Sequence, residues 1–524
     1  MEERFLPIGI QDFEDLRRRN FLYVDKTAYV YKLATEGKPY FLSRPRRFGK
    51  SLFLSTLEAY FLGKKDLFKG LAIEKLEKDW IQYPVLSISF AGSSLDNTTR
   101  LLETISGILE FYEKQFGIPS IQSDPSLRFK NLIISLYEKT GKQVVILIDE
   151  YDKPVLDALY SEFEERNRAE LRNFYSPLKD CDKYIRFIFL TGITKISHIN
   201  IFSGLNQLND ISMIEDFSAI CGVSEEELDL YFTPEIEQLA KRQKLSIEET
   251  KAKLARMYDG YHFTNDVPGV YNPFSLIKCF YEKRFGSYWF ESGTPSLLVK
   301  TLQNQPIEEL SGLVNGRQTT ESKFRDYDPD SHNVLPVIYQ SGYLTIKDYD
   351  AESNLFTLDF PNKEVQDGFL QVLLQKFIKV PYDDVGLAIE NIRRALRAND
   401  IEKVALIIKS AIADLPTIVK KEMCENYYES VVHLIFRLTG FVVLSELQSV
   451  CGRSDVVLKT NDAIFIFELK MDKGRDAEEI AQTALKQIDQ KGYAAPFLAS
   501  GKPVHKVAFV FSSSGEGLVS WKNK

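Results

Sequence analysis

The sequence predicts a mixed α/β protein that has a sheet near each end of the chain and a mostly helical region between them. Three observations support this prediction. Apolar, β-branched runs near the N-terminus, such as 144–149 and 185–190, alternate with helix-length segments, as in parallel sheets. The charged, amphipathic pattern of residues 225–257 is typical of surface helices. Residues 456–467 contain two apolar strands around a turn.

The first element is a strand, a loop and a helix over residues 38–62. The strand Pro39–Ser43 is followed by the loop Arg-Pro-Arg-Arg-Phe-Gly-Lys-Ser, residues 44–51, and then by an apolar helix. The loop fits the phosphate-binding pattern G-x-x-x-x-G-K-[ST] at every defined position except the first, where Arg44 replaces glycine. In such a loop, backbone N–H groups and the start of the helix surround phosphates.

The loop therefore predicts a site for ATP and Mg²⁺. Lys50 would reach the β- and γ-phosphates, and Ser51 would bind the metal. A modest affinity is expected, because Arg44 must fit the turn and Pro45 donates no N–H. The residues expected to surround the nucleotide are Arg47, Phe48, Gly49, Lys50, Ser51 and Leu52.

A buried strand that ends in two acids follows about 100 residues later, a spacing that suits one α/β domain. In the run 144–150, Asp149 would hold the Mg²⁺ shell and Glu150 would orient or deprotonate the attacking water. The alternative is a core strand that ends in solvated acids. The strand 185–192 places Thr191 where a residue that senses the nucleotide would lie, and 84–90 supplies another strand.

The middle region is predicted to combine helices with a small β element. Residues 342–347 and 355–359 have the composition of short strands. The segment Gly293-Thr-Pro295 resembles the G-x-P element in the lids of some ATPases, and the alternative is a turn before a helix that starts near Ser296. The predicted domains are 1–215, 216–400 and 401–524.

The hairpin predicted over 452–470 carries the most informative functional pattern. If the turn lies at 461–462, Asp455 faces Glu468, and Lys470 shares that face of the sheet. Two carboxylates suit a divalent cation such as Mg²⁺, which polarises a phosphodiester and lowers the pKa of a bound water. A lysine beside the metal would position the water or stabilise charge on the phosphate. The alternative is a solvated, charged strand end.

Two flanking helices are expected to add polar groups to this hairpin. The helix predicted over 423–439 carries Glu429, and the helix predicted over 476–490 places Gln487 on an otherwise apolar face. Because each helix has an apolar side, both are expected to pack on the sheet that contains the hairpin. For Gln487, the alternative is a buried glutamine with purely structural partners.

Together these motifs resemble the bacterial AAA-ATPase-like family, whose members carry a C-terminal PD-(D/E)xK nuclease superfamily domain. The arginine-rich loop 44–51 is a hallmark of that family. The other segments that fit it are 21–27, 148–154, 258–263, 270–273 and 288–295. The resemblance covers nearly the whole chain. It implies an N-terminal P-loop, AAA-like three-layer ATPase domain, a mostly helical lid region and a C-terminal α/β domain like that of restriction endonucleases.

The resemblance to the nuclease superfamily rests on the order Glu, Asp, Glu-x-Lys, Gln along the chain. The residues that it implies as metal ligands are Glu429, Asp455 and Glu468. Lys470 would be catalytic together with Asp455 and Glu468. Gln487 and Tyr493 would have supporting roles, because the segment between them resembles the Q-x(n)-Y element of the RecB-like branches. The superfamily also includes inactive members, so a complete set of motifs argues for activity without proving it.

Composition limits the location and the partners. The 524-residue chain has no apolar run near the ~20 residues of a membrane span, and its first residues lack the features of a signal peptide. Five dispersed cysteines without a C-x-x-C pair indicate a reducing compartment, so a cytoplasmic protein is expected. Five scattered histidines offer no zinc pattern. The net charge of −8 argues against a broad nucleic-acid surface but is compatible with a local basic patch.

The sequence thus predicts an ATP-binding and ATP-hydrolysing protein coupled to a metal-dependent nuclease. The expected cofactors are ATP and Mg²⁺, with Mn²⁺ as an alternative at the nuclease site. Nucleic acid is the expected macromolecular partner, and DNA is favoured over RNA. Assembly into a homo-oligomer is an open alternative. Two alternatives remain: a regulatory ATP-binding module whose nuclease-like domain only holds nucleic acid or a partner, and a signalling NTPase that assembles on a ligand.

Overall fold

The computed structural model divides the chain into two compact units. The residues that it describes are 5–92, 94–120, 122–196, 208–292, 296–303, 305, 316–328, 331, 333–378, 382–413, 425–449 and 452–524. The first unit contains Met1–Leu302 and Gly316–Val365, and the second contains Gln303–Asn315 and Gln366–Lys524. The division into three domains stays a prediction. Among the described helices, none combines the length and the apolar character that a membrane span requires.

A parallel five-stranded sheet forms the centre of the first unit. Its strands are β1 Pro39–Ser43, β2 Val85–Ser89, β3 Val144–Asp149, β4 Ile185–Gly192 and β5 Asn209–Asp210, in the order β2-β3-β4-β1-β5. The four strands predicted in this region are all present, to within a residue at each end. Every residue of β3 is buried, as expected for a central strand that is covered on both faces. Because the strands are parallel, the segments that follow β1 and β3 leave the sheet at the same edge.

Helices pack against this sheet. They are Phe13–Arg18, Thr27–Glu36, Lys50–Phe61, Ile73–Leu76, Thr98–Phe116, Pro125–Thr140, Lys153–Asp157, Glu164–Tyr175 and Pro177–Asp180. Leu101, Ile105 and Leu109 lie at helical spacing on one of them and join a buried cluster with Ile146 and Ile148 of β3. The apolar stripe of the helix is thereby removed from water, which is the main source of stability for such a layer.

The middle region is largely helical, as predicted. Its helices are Glu225–Gln243, Ile247–Tyr258, Pro273–Glu282, Trp289–Ser292, Ser296–Gln303 and Leu335–Gln340. Ser224 and Glu227 form a capping box at the start of the first, and Ser246 and Glu249 do so at the second. Each box satisfies N–H groups that a helix start leaves without partners. The predicted Gly293-Thr-Pro295 element lies outside the described residues.

A small antiparallel sheet completes the first unit. Its strands are β6 Arg317–Thr319, β7 Thr345–Asp350 and β8 Leu355–Asp359, in the order β6-β8-β7. The strand predicted over 355–359 is confirmed. The strand predicted over 342–347 is wrong at its start, since β7 begins at Thr345. Gly342 has a φ of 87° in a turn, and this left-handed conformation cannot continue an extended strand.

A mixed five-stranded sheet forms the second unit. Its strands are β9 Val442–Ser449, β10 Gly452–Lys459, β11 Ile464–Met471, β12 Val504–Phe511 and β13 Leu518–Asn523, in the order β13-β12-β11-β10-β9. β11 and β12 run parallel, and the other neighbours run antiparallel. The helices are Lys363–Ile378, which begins in the first unit, and Tyr382–Arg397, Ile401–Ala413, Glu425–Leu438 and Ala477–Gln490.

The predicted register of the β10–β11 hairpin is confirmed. Val456 pairs with Phe467, so Asp455 and Glu468 come next in the same register. The N–H of Thr460 donates to the carbonyl of Ala463 at 2.9 Å, which places the turn at the two residues between them, as predicted. β11 is buried along almost its whole length, as expected of a strand at the centre of the sheet.

Candidate functional sites

The loop after β1 curls around its own lysine. Lys50 Nζ donates to the carbonyl oxygens of Arg44 and Pro45, each at 2.9 Å. Two residues in the left-handed region, Arg47 at a φ of 64° and Gly49 at 96°, make this curl, and only glycine adopts such a φ without cost. Burial lowers the pKa of Lys50. The ammonium group therefore rests on main-chain oxygens that phosphate oxygens could replace.

Arg44, which replaces the first glycine of the phosphate-loop pattern, is buried in the protein. Its guanidinium donates to the carbonyl oxygens of Ser43, Ser212 and Phe217 at 2.9, 2.8 and 3.0 Å. The same group lies 3.9 Å from the centre of the Phe263 ring. Burial lowers the pKa of Arg44 to about 10. The departure from the pattern thus ties the loop to the segment that follows β5.

Ser51 and Asp149 come together although 98 positions separate them in the chain. Ser51 Oγ donates to Asp149 Oδ2 at 2.6 Å, and the other carboxylate oxygen accepts from the N–H of Glu150 at 3.0 Å. The pair forms because a helix start after β1 and the end of β3 lie at one edge of the sheet. A hydroxyl and a carboxylate side by side are oxygen ligands of the kind that Mg²⁺ prefers, so these residues fit that ion.

Glu150 follows Asp149 with a φ of 53°. Burial raises the pKa of Glu150, and the neighbouring Asp149 and Asp152 raise it further. A carboxylate with a raised pKa accepts a proton from water more readily. Asp152, which the sequence analysis did not select, is buried and accepts from Ile193 N–H and from the N–H and hydroxyl of Thr194. Its signal in the sequence was a third acid at the same strand end.

Three predicted nucleotide-binding residues contact other parts of the first unit. The Thr191 hydroxyl donates to a main-chain carbonyl of β1 at 2.9 Å, inside the sheet. Phe48 is buried, and its ring centre lies 4.7 Å from that of Tyr261. The Arg47 guanidinium lies 4.1 Å from the centre of the Phe274 ring. Direct contact of these three side chains with a nucleotide stays a prediction.

An apolar pocket lies beside the start of the helix Lys50–Phe61. It encloses about 90 Å³, which is less than the roughly 300–1,000 Å³ of small-molecule sites. The residues around it include Tyr23, Val24, Gly49, Leu52, Ile220 and Val223. Two residues of the predicted nucleotide set, Gly49 and Leu52, therefore line a small apolar pocket beside the helix start.

Glu468 is the centre of the second candidate site. Its side chain on β11 is only 1% exposed, and Oε1 accepts from Lys470 Nζ at 2.8 Å and from Gln487 Nε2 at 2.5 Å. Oε2 is buried and has no hydrogen-bond partner among the described residues. Burial, followed by the charge of Asp455, raises the pKa of Glu468 to about 6. A buried carboxylate oxygen without a partner is costly, and a cation would supply one.

Asp455 lies next to Glu468 across the hairpin, as the register requires. Its Oδ2 accepts from the N–H of Leu469 at 2.7 Å and lies 4.0 Å from Lys470 Nζ. The side chain is partly exposed. The structure therefore brings together four of the predicted residues, Asp455, Glu468, Lys470 and Gln487, at one end of the central strands. Two carboxylates, one of which has a buried oxygen without a hydrogen-bond partner among the described residues, fit a divalent cation.

Glu429 and Tyr493 relate to this cluster in different ways. Tyr493 is buried with Ile488 and Val457 in an apolar cluster, and its hydroxyl has no hydrogen-bond partner among the described residues. Across those same residues, no group of three or more His, Cys, Asp or Glu side chains is placed to hold a metal ion. The structure thus pairs Asp455 with Glu468 without adding a third such ligand, and the metal role of Glu429 stays a prediction.

Comparisons with known proteins match both ends of the chain. Residues 7–202 match the family described as Predicted AAA-ATPase, and residues 423–521 match the PD-(D/E)XK nuclease superfamily. The chain is also similar to the "Uncharacterized protein in vnfD 5'region" of Azotobacter chroococcum mcd 1. The two are 35% identical over 530 residues, which cover 99% of each chain. The resemblance inferred from the motifs is therefore confirmed, and each matched region contains one of the two candidate sites.

Proposed function

We propose that this chain, which belongs to the AAA-ATPase-like family with a C-terminal PD-(D/E)XK nuclease superfamily domain, hydrolyses ATP and cleaves nucleic acid. In this proposal the parallel sheet and its helices are a P-loop, AAA-like three-layer domain. The second unit holds the metal-dependent nuclease. The state of the bound nucleotide controls the rate of cleavage.

The contact between Ser51 Oγ and Asp149 Oδ2, at 2.6 Å, carries the ATPase half of the proposal. A hydroxyl at the helix start and an acid at the strand end are the groups by which P-loop NTPases hold Mg²⁺ against the phosphates. Bound there, Mg²⁺ would neutralise charge on the β- and γ-phosphates. Lys50 would exchange two main-chain carbonyls for phosphate oxygens, and Glu150 would accept a proton from the attacking water.

The buried Oε2 of Glu468, without a partner among the described residues, carries the nuclease half. Mg²⁺ or Mn²⁺ held by Glu468 and Asp455 would lower the pKa of a water and polarise the phosphodiester. Lys470, whose Nζ lies 2.8 Å from Oε1 of Glu468, would stabilise the negative charge that develops on the phosphate. Gln487 would hold Glu468 in place through their hydrogen bond.

A second candidate function is favoured by one observation. Among the described residues, the carboxylate pair is not extended to a set of three metal ligands. A nuclease-like domain with a weak metal site would bind nucleic acid or a partner without cutting it. The protein would then be a regulatory or signalling NTPase, and ATP would change only the affinity of its second unit.

The deciding experiment uses the full chain with plasmid DNA, single-stranded DNA and RNA, in Mg²⁺ or Mn²⁺, with and without ATP. The proposal expects ATP turnover and cleavage of at least one substrate, both abolished by a chelator. The Lys470→Ala variant, purified in parallel, controls for contaminating nucleases. ATP turnover together with nucleic-acid binding, but no cleavage in either metal, would select the second candidate instead.

A further inference from the structure

The middle region contacts the loop 44–51, here called the phosphate loop, at each position from 44 to 48. In loop order, the residues that make these contacts are Phe263, Gly342, Trp289, Phe274 and Tyr261. All but one of the contacts involve a side chain of the loop. The exception is made to the main chain, at the carbonyl of Arg46, so Trp289 acts on the backbone of the loop.

The Trp289 indole sets the direction of one peptide group in this loop. Its Nε1 donates to the carbonyl oxygen of Arg46 at 2.9 Å, and the side chain is buried. None of the described peptide bonds is cis, and in a trans peptide the carbonyl and the following N–H point in opposite directions. The hydrogen bond therefore turns the N–H of Arg47 away from Trp289.

A second carbonyl of the loop is held in the same way. The carbonyl oxygen of Phe48 accepts from the N–H of Gly222 at 3.2 Å, which fixes the direction of the N–H of Gly49. Arg47 and Gly49 are also the loop residues in the left-handed region, at φ values of 64° and 96°. Backbone N–H groups of such a loop are the groups that bind phosphate oxygens. The held carbonyls thus set the direction of N–H groups that the phosphates of ATP would meet.

Glu364 holds Trp289 in position. Its Oε1 accepts from the N–H groups of Tyr288 and Trp289 at 2.5 and 2.6 Å, and its Oε2 accepts from the Ser275 hydroxyl at 2.7 Å. Glu364 is itself buried. The ring centre of Trp289 lies 5.5 Å from that of Tyr343. The main chain and the ring of Trp289 are therefore both fixed, and its indole N–H cannot leave Arg46 without breaking other contacts.

We propose that Trp289, held by Glu364, is a positioning residue of the phosphate loop and presets the loop's backbone N–H groups for the phosphates of ATP. This inference rests on the proposed ATPase function and concerns a contact that the G-x-x-x-x-G-K-[ST] pattern does not include. A loop that is already ordered loses less conformational freedom when the phosphates bind, and the affinity is higher for that reason. Trp289 touches neither the nucleotide nor the attacking water, and acts only through the peptide group that follows Arg46.

The test compares wild type with Trp289→Phe, and Trp80→Phe is the matched control. The indole N–H of Trp80 is buried and has no hydrogen-bond partner among the described residues, so its replacement removes the same ring volume without a hydrogen bond. Trp289→Phe should raise the Kd for ATP by roughly 3–10-fold, the size expected for one hydrogen bond, while kcat at saturating ATP stays within about threefold. Trp80→Phe should bind ATP as wild type does. Calorimetry measures the Kd, and phosphate release measures kcat.

Inorganic tripolyphosphate tests the loop without the base and the sugar of ATP. As a competitor of ATP hydrolysis, it should bind Trp289→Phe more weakly by the same factor as ATP does. A merely structural role of Trp289 would lower the fraction of folded protein, and so the calorimetric stoichiometry, but would leave both affinities unchanged. Unchanged affinities would therefore overturn the positioning role.

Glu364 is tested by variants that differ in hydrogen-bonding capacity. Glu364→Gln keeps an oxygen that can accept from both N–H groups, and should bind ATP as wild type does. Glu364→Ala removes that oxygen, and should weaken ATP binding about as much as Trp289→Phe. The combination of Glu364→Ala with Trp289→Phe should lose no more affinity than either alone, because Glu364 acts through Trp289. Additive losses would overturn the part of Glu364 in the proposal.

Indole NMR signals test the contact in the wild-type protein. The chain has 3 tryptophans, and Trp80→Phe and Trp521→Phe identify the signal of Trp289 by elimination. Addition of ATP and Mg²⁺ should shift the Trp289 signal, because the phosphates bind the peptide group to which its N–H donates. The Trp80 signal should stay in place. An unchanged Trp289 signal at saturating ATP would overturn the proposal, also where Trp289→Phe fails to fold.

The two proposals fail in different ways. A Kd of Trp289→Phe within about twofold of the wild-type value, with wild type binding and hydrolysing ATP, would overturn this inference and leave the ATPase proposal standing. A loss confined to kcat would do the same, because it would place the effect of Trp289 outside phosphate binding. A wild-type protein that binds no ATP would overturn both.

Discussion

The two candidate sites differ in how their polar groups are satisfied without a ligand. In the first, Lys50 rests on two carbonyls and Ser51 donates to Asp149, so the groups expected to bind nucleotide already have partners. In the second, the buried Oε2 of Glu468 has no hydrogen-bond partner among the residues that the structure describes. The first site must exchange protein contacts for phosphate contacts, while the second is preformed on a buried strand. Binding should therefore cause conformational change at the first site and little at the second.

The largest effect of a single substitution is expected at the preformed site. Lys470→Ala and Glu468→Ala should each lower metal-dependent cleavage by on the order of 10²–10³-fold or more, because each removes a charge stabiliser or a metal ligand. Initial rates of plasmid nicking in Mg²⁺ measure the effect, and circular dichroism checks the fold. Lys522→Ala, which removes a surface ion pair with Glu478 at 3.1 Å, should leave the rate unchanged. If both test variants cut as fast as wild type, the nuclease site lies elsewhere.

At the first site, substitutions should separate binding from hydrolysis. Lys50→Ala should weaken ATP binding, because it removes the ammonium group. That group would otherwise leave its two carbonyl partners and donate to phosphate oxygens of ATP. Glu150→Gln should bind ATP normally and hydrolyse it roughly 10²-fold or more slowly, since the amide accepts no proton. Calorimetry measures binding, and phosphate release measures turnover. Unchanged ATP binding in Lys50→Ala would contradict the phosphate role of Lys50. The control is Lys130→Ala, which removes an exposed ion pair with Asp180.

The third prediction links the two sites. If ATP binds two conformations of the protein with different affinities, a coupling of ~1–3 kcal/mol should change cleavage by roughly 5–150-fold. The comparison is cleavage by wild type and by Glu150→Gln, each with ATP, ADP and no nucleotide. Glu150→Gln should bind ATP without hydrolysing it. Its cleavage rate with ATP should therefore be either the highest or the lowest of the set. Equal rates under all conditions would show that the sites act independently.

The last prediction concerns stability, and it contrasts the two units directly. Burial raises the pKa of Glu364, in the first unit, to about 7. Its stabilising contribution is complete below the unfolded pKa near 4.5 and is lost as pH rises through 7. Burial, with a smaller effect of Arg437, lowers the pKa of His433, in the second unit, to about 4. That contribution is complete above about pH 6.5 and is lost as pH falls through 4.

Hydrogen exchange between pH 4 and 8 can follow each unit separately. Relative to wild type, Glu364→Gln should gain stability in the first unit as pH rises, and His433→Phe should gain stability in the second as pH falls. Each change is at most about 3.4 kcal/mol, because the pKa of each group in the folded protein differs by about 2.5 from its unfolded value. Differences that do not vary with pH would show that neither group titrates in the stated range.

Short-range rules predicted much of the second site. The turn at residues 461–462 and the two-residue period of a strand together place Asp455 opposite Glu468 and Lys470 on the same face, and the register agrees. The helix that bears Gln487 was predicted from its apolar stripe, but its hydrogen bond to Glu468 was not. That bond depends on how the helix packs on the sheet, which the spacing of apolar residues does not specify.

The first site shows more clearly which contacts could not be predicted from the sequence. Arg44 was predicted to depart from the phosphate-loop pattern and to make nucleotide affinity modest. Its guanidinium donates to carbonyls 168 and 173 positions away in the chain, which the pattern does not indicate. Asp152 and Trp289 lie in the family segments 148–154 and 288–295 but were given no role, although Asp152 holds the residues after β4 and Trp289 donates to the loop across 243 positions. Nothing local to these residues identifies their partners.

By itself, the sequence determined four strands of the parallel sheet, the two strands of the C-terminal hairpin with their register, the amphipathic helices of residues 225–257 and the residue types at the two sites. These features follow from periodicity, turn chemistry and capping, which act over a few neighbouring residues. Only the tertiary structure decided that Arg44 is buried against main-chain carbonyls, and that Oε2 of Glu468 has no hydrogen-bond partner among the described residues. Such outcomes depend on which distant segments come within hydrogen-bond distance, and packing of the whole unit sets those distances.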